Sequence, residues 1–201
     1  MTEFRRRVAA VSGAGAMIAA LGGIVVAIAL APWFSLTANA LSDLGVADRT
    51  AVATAFNGGL LLGGAVAIAY AWALWAAART LGARVVAVEF AAAATLMAGV
   101  GAFPSGTSLH FPVALGFYLA LTLVLATDGA VRRTTTAGRL ALAAAGVHLW
   151  QWWLWVAGVR LGPGLAIPEL VGALLLAAWV LAGSPVAPLA RVARDLTRPP
   201  E

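Results

Sequence analysis

Long apolar runs divide this chain, and each is close to the length that a helix needs to cross a bilayer. A membrane-spanning helix takes about 20 predominantly apolar residues, and hydrophobic residue types make up 62% of the 201-residue sequence. Strand-like alternation is absent, and a backbone in lipid must satisfy its own hydrogen bonds, so the runs are predicted to be helices. The fold class is therefore predicted to be all-α, a bundle of six transmembrane helices in a single domain, residues 1–201. The predicted spans are 8–31, 50–78, 85–103, 111–126, 138–159 and 167–182.

The basic residues are distributed unevenly between the loops. All 13 of them are arginines, and the cytoplasmic loops of membrane proteins carry an excess of such charges. With the N-terminus placed inside the cell, only Arg49 and Arg160 fall outside. The prediction is a multi-pass protein of the cell membrane with both termini cytoplasmic. The arginines on the cytoplasmic side are then Arg5, Arg6, Arg7, Arg79, Arg84, Arg132, Arg133, Arg139, Arg191, Arg194 and Arg198.

The composition excludes several classes of function. A net charge of +5 would suggest nucleic-acid binding in a soluble domain, but here the arginines flank apolar spans, and no nucleic-acid partner is predicted. The sequence has no cysteine, which excludes disulfides, thiol nucleophiles and cysteine-based zinc sites. It also has no lysine, so no Schiff base can form, and retinal binding and imine-forming catalysis are excluded.

One face of the second span consists of small residues. Ala55, Gly59, Gly63 and Ala67 recur every four residues, and such faces let helix backbones approach closely in lipid. Packing within the bundle is the preferred interpretation, and dimerisation is the alternative.

Simple structural roles account for several polar residues. The segment 35–44 is predicted to form a short interfacial helix that ends at Gly45, and Asp48 to cap the second span. Glu89 is expected to neutralise a cytoplasmic arginine or to reach the inner interface. Glu169 could simply be solvated in the first turn of its helix.

Other polar side chains collect towards the predicted outer face. An ionisable group within a span costs on the order of 3 kcal/mol on insertion scales, so it suggests a functional site by default. Two imidazoles and a carboxylate could form an open zinc site whose bound water attacks an ester or amide, although no pair has the spacing of a recognised metal motif. The predicted catalytic residues and metal ligands are Asp43, His110 and His148, with one zinc or similar divalent ion as the cofactor. The predicted substrate-binding residues are Ser42, Asn57, Gln151 and Glu169.

Simpler interpretations and other functions remain open. His110 could be a capping or solvent-exposed residue, and interhelical hydrogen bonds alone could explain His148 and Gln151. The first function is a hydrolase-like or lipid-binding site with membrane lipid as the partner, which a pocket lined by the polar residues would favour. A structural or accessory protein would show a filled, fully hydrogen-bonded cluster. A transporter would show an aqueous path past Glu89, but the predicted spans contain no pair of broken helices.

Short motifs at the predicted outer face resemble a known membrane family. Ser42-Asp43-Leu44-Gly45 lies in the first loop, Phe56-Asn57-Gly58-Gly59-Leu60 opens the second span, and Gly101-Ala102-Phe103-Pro104 ends the third, followed by His110. Over nearly the whole chain, the pattern is similar to the six-helix family catalogued as domain of unknown function 998. The resemblance implies six spans and no settled biochemical activity.

A more distant similarity connects the chain to alkaline ceramidases and adiponectin-type receptors. These membrane hydrolases combine a serine, an aspartate and three histidines around zinc. The similarity is limited to Ser42, Asp43, His110 and His148, because this chain has only two histidines and six predicted spans rather than seven.

Overall fold

The protein is all-α over residues 2–189, the part of the chain that the computed structural model describes. A short 3-10 helix, Leu41–Val46, lies between the first two helices, and a π-helical turn, Trp179–Gly183, continues the last one. The predicted cytoplasmic residues Arg191, Arg194 and Arg198 lie outside the described residues. The α-helices are α1 (Glu3–Leu30), α2 (Thr50–Ala77), α3 (Leu81–Ala102), α4 (His110–Val131), α5 (Thr136–Val156) and α6 (Ala166–Ala178).

Five helical segments in residues 2–189 are long and apolar enough to cross a membrane. They are α1 to α4 and the segment Ala166–Gly183, which α6 and its π-helical turn form together. α5 has 21 residues but is less apolar, because Arg139, His148 and Gln151 interrupt it. The chain is therefore a polytopic helical membrane protein. The predicted end of the fourth span at residue 126 is too early, since α4 continues through Asp128 to Val131.

Exposed apolar side chains cover the surface of α1. Val11, Ile18 and Val25 are all exposed, and their spacing of seven residues returns to the same face of a helix. A continuous apolar stripe of this kind is suited to contact with lipid chains rather than water.

α1 and α2 pack with their backbones in close contact. A Cβ atom at Gly59 would lie 2.8 Å from both the Cα atom of Gly23 and the carbonyl oxygen of Ala19. A Cβ atom at Gly63 would lie 2.9 Å from the carbonyl oxygen of Ala16. Larger side chains would not fit, so the small-residue face of the second span is confirmed as a packing surface within the bundle.

The helices run alternately up and down, so the loops gather at two ends of the bundle. At the first, which we call the Asp43 end, the Gly164 amide donates to the carbonyl of Thr37 and the Ala166 amide to the carbonyl of Asn39, both at 2.9 Å. The first and last loops are thereby joined. At the opposite end, which we call the Asp128 end, the end of α4 meets the π-helical turn after α6.

The first loop differs from its prediction in two respects. Its helical part is the 3-10 helix Leu41–Val46, so Gly45 lies inside this helix and does not end it. Asp48 does not cap α2, because the backbone becomes helical only at Thr50 and the N-cap position falls to Arg49. The Arg49 side chain makes no capping hydrogen bond and instead donates to the carbonyl of Leu30 at 3.1 Å.

Candidate functional site

A cavity of about 50 Å³ extends into the bundle from the Asp43 end. Its wall is mostly apolar, and on α6 it runs from Glu169 to Leu176, about 10 Å along the helix axis. A space of this size holds only a few water molecules and is far smaller than the ~300–1,000 Å³ of ordinary ligand pockets. It therefore admits only a slender group. The polar residues that line it are Ser42, His110, Tyr118 and Glu169.

Glu169 joins the first loop to α6. Its side chain is buried, with the residue only 8% exposed, and its Oε2 accepts a hydrogen bond of 2.6 Å from the backbone amide of Leu41. Its other oxygen, Oε1, has no hydrogen-bond partner among the described residues. The interpretation of Glu169 as a solvated first-turn residue is wrong, because the first loop covers it.

A backbone carbonyl orients the ring of His110, the first residue of α4. The Nδ1 atom lies 2.8 Å from the carbonyl oxygen of Phe103. Because a carbonyl oxygen can only accept, Nδ1 carries a proton, and in this tautomer Nε2 is the acceptor. The polar part of the cavity therefore presents acceptors from His110 and Glu169 beside the hydroxyl of Ser42, which can both donate and accept.

His148 does not line the cavity but lies in a hydrogen-bonded network between α4 and α5. It is 1% exposed, its Nε2 accepts from the indole N–H of Trp152 at 3.0 Å, and its Nδ1 lies 2.8 Å from the hydroxyl of Thr122. An indole nitrogen only donates, so Nδ1 carries the proton and donates to Thr122. The Thr122 hydroxyl in turn donates to the carbonyl of Tyr118 at 2.8 Å. Both ring nitrogens are thus occupied.

The predicted metal ligands do not come together. Asp43 accepts from the amide of Ala40 at 2.9 Å and from the side chain of Asn39 at 3.3 Å, so it stabilises the start of the 3-10 helix. Within residues 2–189, no group of three or more His, Asp or Glu side chains is arranged to hold a metal ion. A zinc centre built from Asp43, His110 and His148 does not fit this arrangement.

Two predicted substrate-binding residues instead join helices to their neighbours. The amide nitrogen of Asn57 donates to the carbonyl of Gly45 at 2.8 Å, and that of Gln151 donates to the carbonyl of Pro168 at 2.9 Å. Neither residue lines the cavity. The predicted site residues that the structure does bring together along the cavity are Ser42, His110 and Glu169.

Glu89 does not form the ion pair that was expected of it. Its Oε1 accepts a hydrogen bond of 3.0 Å from the hydroxyl of Thr127, and its Oε2 is buried without a partner in the described part of the chain. The predicted ion pair is wrong, because the extension of α4 past residue 126 places the hydroxyl of Thr127 beside this carboxylate.

A buried ion pair at the Asp128 end was not predicted from the sequence. Asp128 is 2% exposed, both of its carboxylate oxygens contact Arg132, and it accepts from the indole N–H of Trp179 at 2.7 Å. Arg132 also donates to the carbonyl of Gly183 at 2.7 Å, at the end of the π-helical turn. The i, i+4 spacing of Asp128 and Arg132 was the signal that could have revealed this pair. Tyr118 was also missed, since a tyrosine in an apolar span gives no signal beyond packing.

Comparison with known proteins identifies a family. No curated protein and no solved structure matches this chain. A family model described as "Protein of unknown function (DUF998)" matches residues 14–184, a range that includes every residue lining the cavity. The resemblance seen in the sequence motifs is confirmed, and the chain belongs to the DUF998 family.

Proposed function

We propose that this protein binds an amphiphilic molecule drawn from the membrane. One observation carries the proposal. The cavity wall is apolar over most of its length, whereas Ser42, His110 and Glu169 lie at the Asp43 end of the cavity, where the ligand would enter. The apolar chain of the ligand would occupy the interior of the bundle, and its polar group would contact these three residues.

The free hydrogen-bonding groups define the chemistry of the ligand. His110 Nε2 and Glu169 Oε1 are acceptors without partners among the described residues, so the ligand has to supply donors, as a hydroxyl or an ammonium group does. The narrow cavity selects a single slender chain over a fused ring system. Met17 and Met97 line it, and their flexible side chains can adjust to such a chain.

The proposal includes the topology of the protein. α5 also crosses the membrane, which brings the number of spans in the one domain to six. Both termini are cytoplasmic, and the Asp43 end faces outward from the cell membrane. Arginines at the opposite end support this orientation. The guanidinium of Arg5 lies 5.9 Å from the ring centroid of Trp72, and that of Arg84 lies 5.5 Å from the ring centroid of Trp75. Tryptophan favours either membrane interface, and arginine favours the cytoplasmic one.

Hydrolysis at this cavity is the second candidate function. It is favoured because the His110 imidazole, whose Nε2 is unoccupied, lines the same cavity as the Ser42 hydroxyl. In such a reaction the Ser42 oxygen attacks an ester carbonyl, His110 Nε2 takes the hydroxyl proton, and the leaving alcohol receives that proton. Water then attacks the acyl-Ser42 ester, which releases the carboxylic acid and returns a proton to the Ser42 oxygen. A structural role accounts better for Asn57, Gln151 and His148, whose hydrogen bonds lie within the bundle. Transport is the least supported alternative, since Glu89 does not line the cavity.

The binding proposal is tested with single-chain alcohols and amines of increasing length, with matched carboxylates as the control series. Binding to protein in nanodiscs is followed by native mass spectrometry. Each added methylene contributes ~0.8 kcal/mol, or about fourfold in affinity, until the apolar part is filled. Alcohols and amines are expected to bind more tightly than carboxylates, because Glu169 and His110 present acceptors.

Two matched variants sharpen this experiment. Ala173 lines the cavity, so the larger side chain of Ala173→Leu fills part of it. Binding is expected to weaken at least tenfold, because roughly two methylene groups of the ligand lose their contact with the protein. Ala92 is exposed on α3 and does not line the cavity, so Ala92→Leu should leave the affinity unchanged. Equal affinities of the two variants, or carboxylates that bind as well as alcohols, would contradict the proposal. Release of fatty acid from an ester that is lost in Ser42→Ala would establish hydrolysis instead.

A further inference from the structure

A second cavity, of about 250 Å³, lies at the Asp128 end, among the α2–α3 turn, the end of α4 and the segment after the π-helical turn. It is at the opposite end of the bundle from the cavity of the proposed function. Its apolar wall includes Leu74, Val86 and Val131, and two arginines, Arg79 and Arg132, also line it. The cavity therefore combines hydrocarbon surface with cationic groups.

The cavity lining carries an excess of positive charge. Its one carboxylate, that of Asp128, is already bound at both oxygens by Arg132. Arg79 is exposed and makes no hydrogen bond or ion pair with the described part of the chain. The neighbouring guanidinium of Arg84 is placed over the ring of Trp75. Arg79 is thus the cation of this cavity that is available to a ligand.

A hydroxyl donor adjoins this arginine. Thr80 is the N-cap residue of α3, and its Oγ1 accepts a hydrogen bond of 3.2 Å from the amide of Ala83. The hydroxyl proton of Thr80 is still available to a further acceptor. Arg79 and Thr80 therefore offer adjacent donors on the rim of an apolar cavity, an arrangement that suits the oxygens of a phosphate group.

We propose that this cavity binds an anionic phospholipid, with its phosphate against Arg79 and Thr80 and an acyl chain along Leu74, Val86 and Val131. Charge complementarity favours this occupant, because Arg132 already neutralises Asp128 and leaves the charge of Arg79 unbalanced. The cavity lies where helices end, which is the level of lipid headgroups, and basic pockets between transmembrane helices bind anionic headgroups in this way. A free phosphate ion shares the headgroup chemistry but makes no use of the apolar wall.

The test is a titration of the full chain with phosphatidylglycerol, counted by native mass spectrometry, with phosphatidylcholine as the zwitterionic comparison. Arg79→Gln is expected to weaken phosphatidylglycerol binding about fivefold, the effect of one arginine near an anionic surface. Arg133→Gln is the matched control, because Arg133 is exposed at the same end but does not line the cavity. It should change the affinity less than twofold.

A second variant and a second ligand separate the alternatives. Ala83 lines the cavity, so Ala83→Leu keeps every charge, fills the apolar space and should also weaken lipid binding. Equal losses of phosphatidylglycerol affinity in Arg79→Gln and Arg133→Gln would show that only the general surface charge matters, and would overturn the proposal. It would equally be overturned if sodium phosphate displaced the lipid at comparable concentration, or if Ala83→Leu bound the lipid as tightly as the wild type.

Discussion

Two adjacent glycines of α2 provide a matched test of the helix packing. A Cβ atom at Gly58 would have no neighbour within 4 Å, whereas one at Gly59 would lie 2.8 Å from Cα of Gly23 on α1. Non-bonded carbon atoms prefer a separation of about 3.5–4.0 Å, so Gly59→Ala must move the two helices apart by roughly 1 Å. Overpacking of this kind costs about 1–3 kcal/mol.

The intrinsic gain from replacing glycine by alanine in a helix, about 1 kcal/mol, is common to both variants. The free energy of unfolding should therefore rise by up to about 1 kcal/mol in Gly58→Ala. In Gly59→Ala it should be about 1–3 kcal/mol lower than in Gly58→Ala. Titration of protein in mild-detergent micelles with dodecyl sulfate, followed by circular dichroism, measures both. If the two variants unfold at the same dodecyl sulfate fraction, the close contact between α1 and α2 is refuted.

The same unfolding assay tests two polar contacts. Asp128→Ala leaves Arg132 without its partner, which costs 3–5 kcal/mol for a buried pair; about 3 kcal/mol is expected, because the Arg132 side chain is 20% exposed. A loss below about 1 kcal/mol, the range of surface ion pairs, would show that the pair is not buried. Trp152→Phe removes the donor to His148 and should cost about 1 kcal/mol, whereas Trp150→Phe, at an exposed position, should be neutral. A neutral Trp152→Phe would contradict the network assigned to His148.

The helices were predictable from the sequence wherever apolar runs are uninterrupted. The start of α2 at Thr50 was predicted to the residue, since an apolar run begins there. The end of α4 was not, because Thr127, Asp128 and Gly129 have the composition of a loop. These polar residues remain helical because partners distant in sequence satisfy them, such as Trp179 for Asp128. Such tertiary contacts leave no local pattern.

The residues that line the cavity were predictable only in part. Ser42, His110 and Glu169 line it, whereas Asp43, Asn57, His148 and Gln151, which were grouped with them, do not. His148 is instead hydrogen-bonded to Trp152, four residues further along the same helix. The spacing of these two residues is visible in the sequence and could have indicated the contact. The burial of Glu169 depends on a backbone amide in the first loop, and no residue type in the sequence signals a backbone donor. The cavity itself arises from the packing of several helices and has no signature in any one of them.

The junction of the first and last loops has a consequence for biosynthesis. The amide of Leu41 and the carboxylate of Glu169 are separated by 128 positions in the chain. A ribosome delivers the first loop long before α6, so the carbonyls of Thr37 and Asn39 meet the amides of Gly164 and Ala166 only after the chain up to the start of α6 has been synthesised. The cavity can therefore close only after α6 has been synthesised, and a chain truncated before α6 would lack Glu169 and the α6 wall of the cavity.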